Sequence, residues 1–496
     1  MVQTWGNPYA AGMWKYMERG GRLLSMVLFA LANMRVYVRK RVGIVKLGKV
    51  KSKEVDMTHG PLLGKMVAFT IPIMLSGVLQ LLFNAADIIV VGRYAGNESL
   101  AAVGSTSSLI NLLVSVFMGL SVGANVVVAQ CYGSGEKERI SKAVHTSITL
   151  SLICGVAIAV LGFFASGTIL GWMGSPKDVI DLAALYLKIY FLGMPASMVF
   201  NYGSAILRAS GNTKTPLCYL SAAGVINVLL NLLLVIRFSM GVAGVAVATV
   251  VSQYISAALV LSYMVRDDGI LHFDFRRMGI DWRILLRVVQ IGVPAGLQGS
   301  VFSLSNVVIQ SAINSFGSTV VAGNSAAANL EGFVYLAMNS VHQTALTFTG
   351  QNYGAGEKKR ILKVLVECQL IVLVVGLVTG NLAYMFGKPL LHIYSSSAAV
   401  VEAGLARMKY ICTVYFLCGM MDCMVGSLRG VGRSVGPMIV SLVGACGLRL
   451  IWIATVFQTH HTTDMLYITY PVSWLITLAA HVITFVFVYR RINGKR

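Results

Sequence analysis

The stretch CYGSGEKERI, residues 131–140, returns almost letter for letter as NYGAGEKKRI at 352–361, 221 residues later. Both copies are polar islands in an apolar chain. A second pair, LRASGNTKTP at 207–216 and LRGVGRSVGP at 428–437, keeps the same 221-residue offset. Two motifs at one spacing point to a duplicated unit.

The rest of the sequence says what that unit is. Apolar residues make up 56% of the 496 positions and charged ones 12%, too few to clothe a soluble surface, so the chain belongs in a membrane. Weakly charged runs such as 219–236, 368–386 and 470–489 approach the roughly 20 residues that a helix needs to cross about 30 Å of hydrocarbon. They do not alternate in polarity as barrel strands would. Twelve spans fall near 66–92, 105–130, 143–165, 183–206, 216–236, 242–264, 287–312, 320–349, 362–386, 404–428, 437–457 and 466–489. The first decapeptide follows span two and the second follows span eight. The repeat is therefore a six-helix lobe, and because six is even both copies point the same way. The fold expected is an all-α membrane protein with twelve transmembrane helices in two six-helix lobes, related by a pseudo-twofold axis along the membrane normal.

The lobes are expected at 57–265 and 287–496, joined by a cytoplasmic linker at 266–286 that carries the charged sequence RDDGILHFDFRRMGIDWRILLR. Residues 1–56 form a basic extension. Its apolar run, LLSMVLFALA at 23–32, is too short to span. A cleaved signal peptide, an interfacial basic helix and a gene start extended upstream of Met57 are the readings it allows.

The net charge of +21 does not indicate nucleic acid. The charges are spread over short loops and the first 65 residues, and with both termini cytoplasmic most of the 40 Lys and Arg fall on the cytoplasmic side. Both decapeptides are then cytoplasmic, where their glycines turn the chain and Glu136 and Glu357 are placed to cap or pair with the helix that follows. GSGEK at 133–137 lacks the GxxxxGK[ST] phosphate-loop pattern, as does GNTKT at 211–215, and nothing in the chain resembles an ATPase domain. The eight cysteines form no CxxC pair, so they are read as helix packing. No spaced His, Cys or carboxylate constellation suggests an enzyme, and no cofactor is indicated.

Ionisable side chains inside a membrane cost about 2.5–3.5 kcal/mol on insertion scales, so each needs a partner or a function. The clear cases are Asp87, Glu331, Asp422 and Arg449. At 1.5 Å per residue, Asp87 on span one lies about 9 Å below the outer edge. Asn227 and Asn231 on span five and Thr249 on span six lie about 9–15 Å down. Asn227 and Asn231 are i, i+4 neighbours and share a helix face. One carboxylate, two amides and a hydroxyl at one depth make either a cation or proton site, with Na⁺ possible at these four residues, or a set of interhelical hydrogen bonds. Asp87 has no depth-matched cation in its lobe. In the second lobe Glu331, about 15 Å down, and Arg449, about 12 Å down, are expected to form a structural ion pair. Whether Asp422 lines the central cavity the sequence leaves open.

At these residues the chain resembles the multidrug and toxic compound extrusion (MATE) transporters over about residues 57–496. The likeness rests on FNAADIIVVGRYAG at the end of span one, the paired QxYGxGEKxRI and LRxxGxxxxP motifs, and RLIWIATVF on span eleven. The resemblance implies export of bulky, often cationic organic compounds in exchange for H⁺ or Na⁺, by lobes that rock between outward-open and inward-open states. It assigns coupling to Asp87 and makes Asn227, Asn231 and Thr249 further polar positions of the first-lobe cation site. Position 231 is often Asp in the family and is Asn here, which removes an anion. Span seven reads VFSLSNVV where one branch has a glutamate, and Asp422 lies about one helical turn from that branch's acidic position on span ten. The chain is expected to act as a monomer in the cell (inner or plasma) membrane. The alternative is a flippase for lipid-linked precursors, which would line its cavity with several Arg or Lys, whereas Arg449 is the one clearly interior cation by sequence. A channel or receptor would not need duplicated lobes with buried carboxylates.

Overall fold

A computed structural model of the protein describes residues 55–172 and 179–494. The basic extension therefore lies outside the described residues except for Val55 and Asp56. Every regular element among the described residues is helical. The first lobe comprises α1 (Leu63–Tyr94), α2 (Asn97–Ser134), α3 (Lys137–Trp172), α4 (Ile180–Leu192 and Met194–Ala209), α5 (Lys214–Asn231, continued by a π-helix over Leu232–Arg237) and α6 (Gly241–Arg266). The second comprises α7 (Trp282–Asn314), α8 (Ser318–Gly354), α9 (Lys358–Met385), α10 (Ala398–Val414 and Phe416–Gly430), α11 (Val435–Thr459) and α12 (Thr463–Gly494).

These helices are the twelve spans of the sequence, with two refinements. α4 and α10 are each bent by 47°, α4 at Gly193 just ahead of Pro195 and α10 at Tyr415. α2 and α8, with 38 and 37 residues, are long enough to cross but carry more polar residues than a lipid-facing helix tolerates. Their position explains this. α2 packs on α7 and α8, and α8 packs on α1, α2, α9 and α10, so both run along the seam between the lobes, where neighbouring helices rather than lipid meet their polar side chains.

The repeated motifs gather at one end of the bundle and interlock across that seam. Gln130 Nε2 donates to Gly430 O at 2.8 Å, and Gln351 Nε2 donates to Ala209 O at 2.6 Å. Each glutamine of a QxYG motif thus reaches the LRxxG motif of the other lobe, and the two bonds are related by the 221-residue repeat. The glycine that follows makes the approach possible. A Cβ on Gly133 would lie 2.0 Å from Gln351 O, and one on Gly354 would lie 1.9 Å from Gln130 O, so any side chain there would push α2 and α8 apart. Close backbone contact of this kind is what small residues supply between membrane helices. The decapeptides are repeated because each is half of a reciprocal clasp.

The charged residues beside the clasp depart from their symmetry. Arg139 pairs with Glu136 at 3.0 Å on the surface, as expected. Its counterpart Arg360 instead donates to the carbonyls of Met57 and Gly60 and to Asn352 Oδ1, and Asn352 Nδ2 also donates to Met57 O at 3.1 Å. Met57 is fully buried, so the second copy of the motif anchors the segment that leads into α1. Between the lobes, Asp281 caps α7 by accepting from the amides of Arg283 and Ile284, and its own N–H donates to Thr146 Oγ1 on α3.

Candidate functional site

The first-lobe polar residues meet. α1, α5 and α6 pack together and direct Asp87, Asn227, Asn231 and Thr249 toward one point. Asn231 Nδ2 donates to Asp87 Oδ1 and, at 3.3 Å, to Asn227 Oδ1. Thr249 Oγ1 lies 3.5 Å from Asp87 Oδ2, and Asn227 Nδ2 closes the circuit at 3.5 Å from Thr249 Oγ1. The i, i+4 spacing of the two asparagines puts both amides on the α1-facing side of α5. The π-helix begins immediately after Asn231, and such segments interrupt the regular ladder near functional positions. Asn227 and Asn231 are buried and Asp87 is half-buried.

Among the described residues, no Lys, Arg or His forms a salt bridge with Asp87. Its charge is met by a neutral amide and a hydroxyl. A buried carboxylate without a counter-charge is costly, which makes Asp87 a candidate cation site. Asn231 Oδ1 is buried and accepts from no donor, and with the oxygens of Asp87, Asn227 and Thr249 it makes a partial set of hard ligands. One amide N–H of Asn231 is turned on the carboxylate and occupies Oδ1 of Asp87 in this arrangement. Sequence reasoning did not reach Tyr186 and Tyr190 of α4, which stack at 5.9 Å and lie near Asp87. Nothing in their spacing distinguishes them from packing aromatics.

The second lobe holds a cavity of about 660 Å³ lined by α7, α8, α10, α11 and α12. Among the described residues, Val122 of α2 is the one lining residue from the first lobe, and Asp87 is not among those that line it. Asp422 lines it. The expected pairing of Glu331 with Arg449 is corrected: Glu331 is held by Arg407, whose Nε and Nη2 reach its two oxygens at 2.8 and 2.7 Å while Nη1 donates to Asn324 Oδ1 at 2.6 Å. Depth estimates give height but not direction around the helix. α10 begins at Ala398, which carries Arg407 about 14 Å into the bundle on the face that packs against α8. On α11 a π-helix over Leu442–Gly447 shifts the register ahead of Arg449, which turns to α12: Nε donates to Ser473 Oγ at 2.9 Å and the guanidinium lies over Tyr470 and Trp474. The count of interior cations is corrected with it. Arg407, Arg429 and Arg449 are all buried, and all three line the cavity.

The MatE family profile matches residues 72–233 and 294–455, one stretch in each lobe and together more than half of the chain. The chain belongs to the MatE family. The probable multidrug resistance protein YpnP of Bacillus subtilis (strain 168) is 29% identical to it over 397 residues, 80% of this chain and 89% of that protein. The FAD transporter of Shewanella oneidensis is 24% identical over 378 residues, 74% of this chain and 82% of its own length. A solved structure described as the outward-facing conformation of a multidrug resistance MATE family transporter of the MOP superfamily shares the fold, with a TM-score of 0.83 at 21% identity over 90% of this chain and 99% of that one. This MatE protein is thus a multi-pass membrane protein whose two polar centres sit in different lobes.

Proposed function

We propose that this MatE protein exports bulky organic compounds from the cell by alternating access, in exchange for protons that load Asp87. The observation that carries the reading is the Asp87 carboxylate inside α1, met by Asn231 and Thr249 rather than by a cation and set apart from the cavity. Because the cavity and the carboxylate lie in different lobes, the two ligands exclude each other through a change of conformation rather than by competing for one oxygen. Each ligand then favours a different arrangement of the lobes. The clasp of Gln130, Gln351, Gly133 and Gly354 closes the bundle at the motif end. With that end toward the cytoplasm, as its basic loops require, the arrangement described is closed to the inside. On this reading both termini are cytoplasmic, the protein sits in the cell membrane, and one chain suffices because both lobes are in it. The named relatives, a multidrug resistance protein and an FAD transporter, support organic compounds as the cargo.

The test is transport in liposomes that contain the purified full chain. Ethidium, a cation, and flavin mononucleotide, an anion, are both offered as cargo, and at least one of them should accumulate on the acidic side of an imposed pH gradient, with no response to an imposed Na⁺ gradient. Accumulation driven by Na⁺ alone would transfer the coupling role to sodium. No accumulation under either gradient would defeat the efflux reading.

A further inference from the structure

The charges of the second-lobe cavity do not suit a cation. Three arginines line it against two carboxylates. Glu331 is taken up by the fork of Arg407, and Asp422 has Tyr335 and Arg429 as its polar neighbours. Arg449 has no acid. It is 4% exposed, its Nε is spent on Ser473, and its Nη2 is buried and donates to no group among the described residues. The π faces of Tyr470 at 4.3 Å and Trp474 at 5.6 Å attract the guanidinium but use none of its N–H groups. Arg429 lies beside Asp422 but also keeps an unused donor: Nη2 donates to Gln298 Oε1 at 2.9 Å, while Nε is buried without an acceptor among the described residues. A buried cation left without an anion is costly, and a guanidinium fork matches a carboxylate or phosphate in geometry as well as charge. The wall beside Arg449 is aromatic. Tyr415 stacks on Trp474 at 5.2 Å, and both line the cavity. Its volume is within the range that admits a drug-sized molecule.

We propose that the second-lobe cavity binds aromatic compounds bearing a carboxylate or phosphate, with the anion on the free N–H of Arg449 and the ring against Trp474 and Tyr415. This rests on the efflux reading only for the fate of the compound and narrows its cargo. It replaces the cationic class expected from the sequence, since a second positive charge here would add to that of Arg449.

Flavin mononucleotide and riboflavin share one ring system and differ by a phosphate, so they isolate the anion. Flavin fluorescence should report binding to the purified full chain, with the phosphorylated form favoured by about 30-fold, and Arg449→Gln should abolish that preference. Equal binding of the two flavins by the native protein overturns the proposal without any variant, as does a preference that survives in folded Arg449→Gln. The anion could also come from a lipid. Displacement of bound flavin mononucleotide by 5-carboxyfluorescein supports the aromatic class. Displacement by phosphatidic acid and not by 5-carboxyfluorescein assigns the site to a lipid headgroup and overturns it. Failure here with gradient-driven ethidium efflux intact defeats this inference alone. Flavin discrimination without efflux defeats the efflux reading alone.

Discussion

Liposomes carrying Asp87→Asn are expected to lose gradient-driven accumulation altogether, although the protein in them folds and binds. One coupled proton supplies about 1.4 kcal/mol per unit of pH, or about tenfold in the concentration ratio the transporter can hold. Under a gradient of about two units the native protein should therefore reach about 100-fold, and the variant should settle at a ratio near one. Asparagine keeps the shape of the side chain and its bond to Thr249, and it resembles the loaded, uncharged acid. Among the described residues Asp87 has no basic partner that would be stranded by the change, so stability should fall little. Uptake assays across a series of imposed gradients check this directly. Accumulation that still grows with the gradient in Asp87→Asn would remove this residue from the coupling role.

The opposite pattern is expected at Glu331, where stability and not coupling should suffer. Its carboxylate receives two bonds from Arg407, both side chains are buried, and Arg407 is further held by Asn324 and by the rings of Tyr467 and Tyr470. Removing one member leaves a buried guanidinium without its counter-charge. Glu331→Ala is expected to lower the free energy of unfolding by about 3–5 kcal/mol. Arg407→Met in the same chain removes the stranded charge and should restore at least half of the loss, because the two residues act as one unit. Unfolding of the detergent-solubilised protein followed by tryptophan fluorescence reads both effects. A loss as large in the double variant as in the single one would show that the pair is not the source of the stability.

The architecture and the first-lobe site could be read from the sequence for the same reason: both are periodic. The fixed offset between the QxYG and LRxxG motifs exposes the lobes, and the four-residue spacing of Asn227 and Asn231 exposes the face that meets Asp87. The second lobe was read less well, because its site depends on direction around helices that are not regular. The bend of α10 at Tyr415 and the π-helix of α11 rotate Arg407, Asp422 and Arg449 relative to a straight helix. Two charges at equal depth, Glu331 and Arg449, therefore belong to different contacts. Arg429 looks like the end of a span because an LRxxG motif closes it, yet the clasp buries that end. The seven buried cysteines behave as the packing residues they were expected to be, and Cys218 is exposed.

The central claim is that loading Asp87 decides which end of the bundle is open, and the distance across the clasp reads this most directly. Spin labels on cysteines introduced at Lys137 and Lys359, exposed positions within the two decapeptides, report that distance once Cys218 is replaced by serine. Acidification should shift the native protein from the short, clasped separation to a longer one, and Asp87→Asn should show the longer separation at every pH. A native distance distribution that ignores pH, or an Asp87→Asn protein that follows pH as the native one does, would contradict the account.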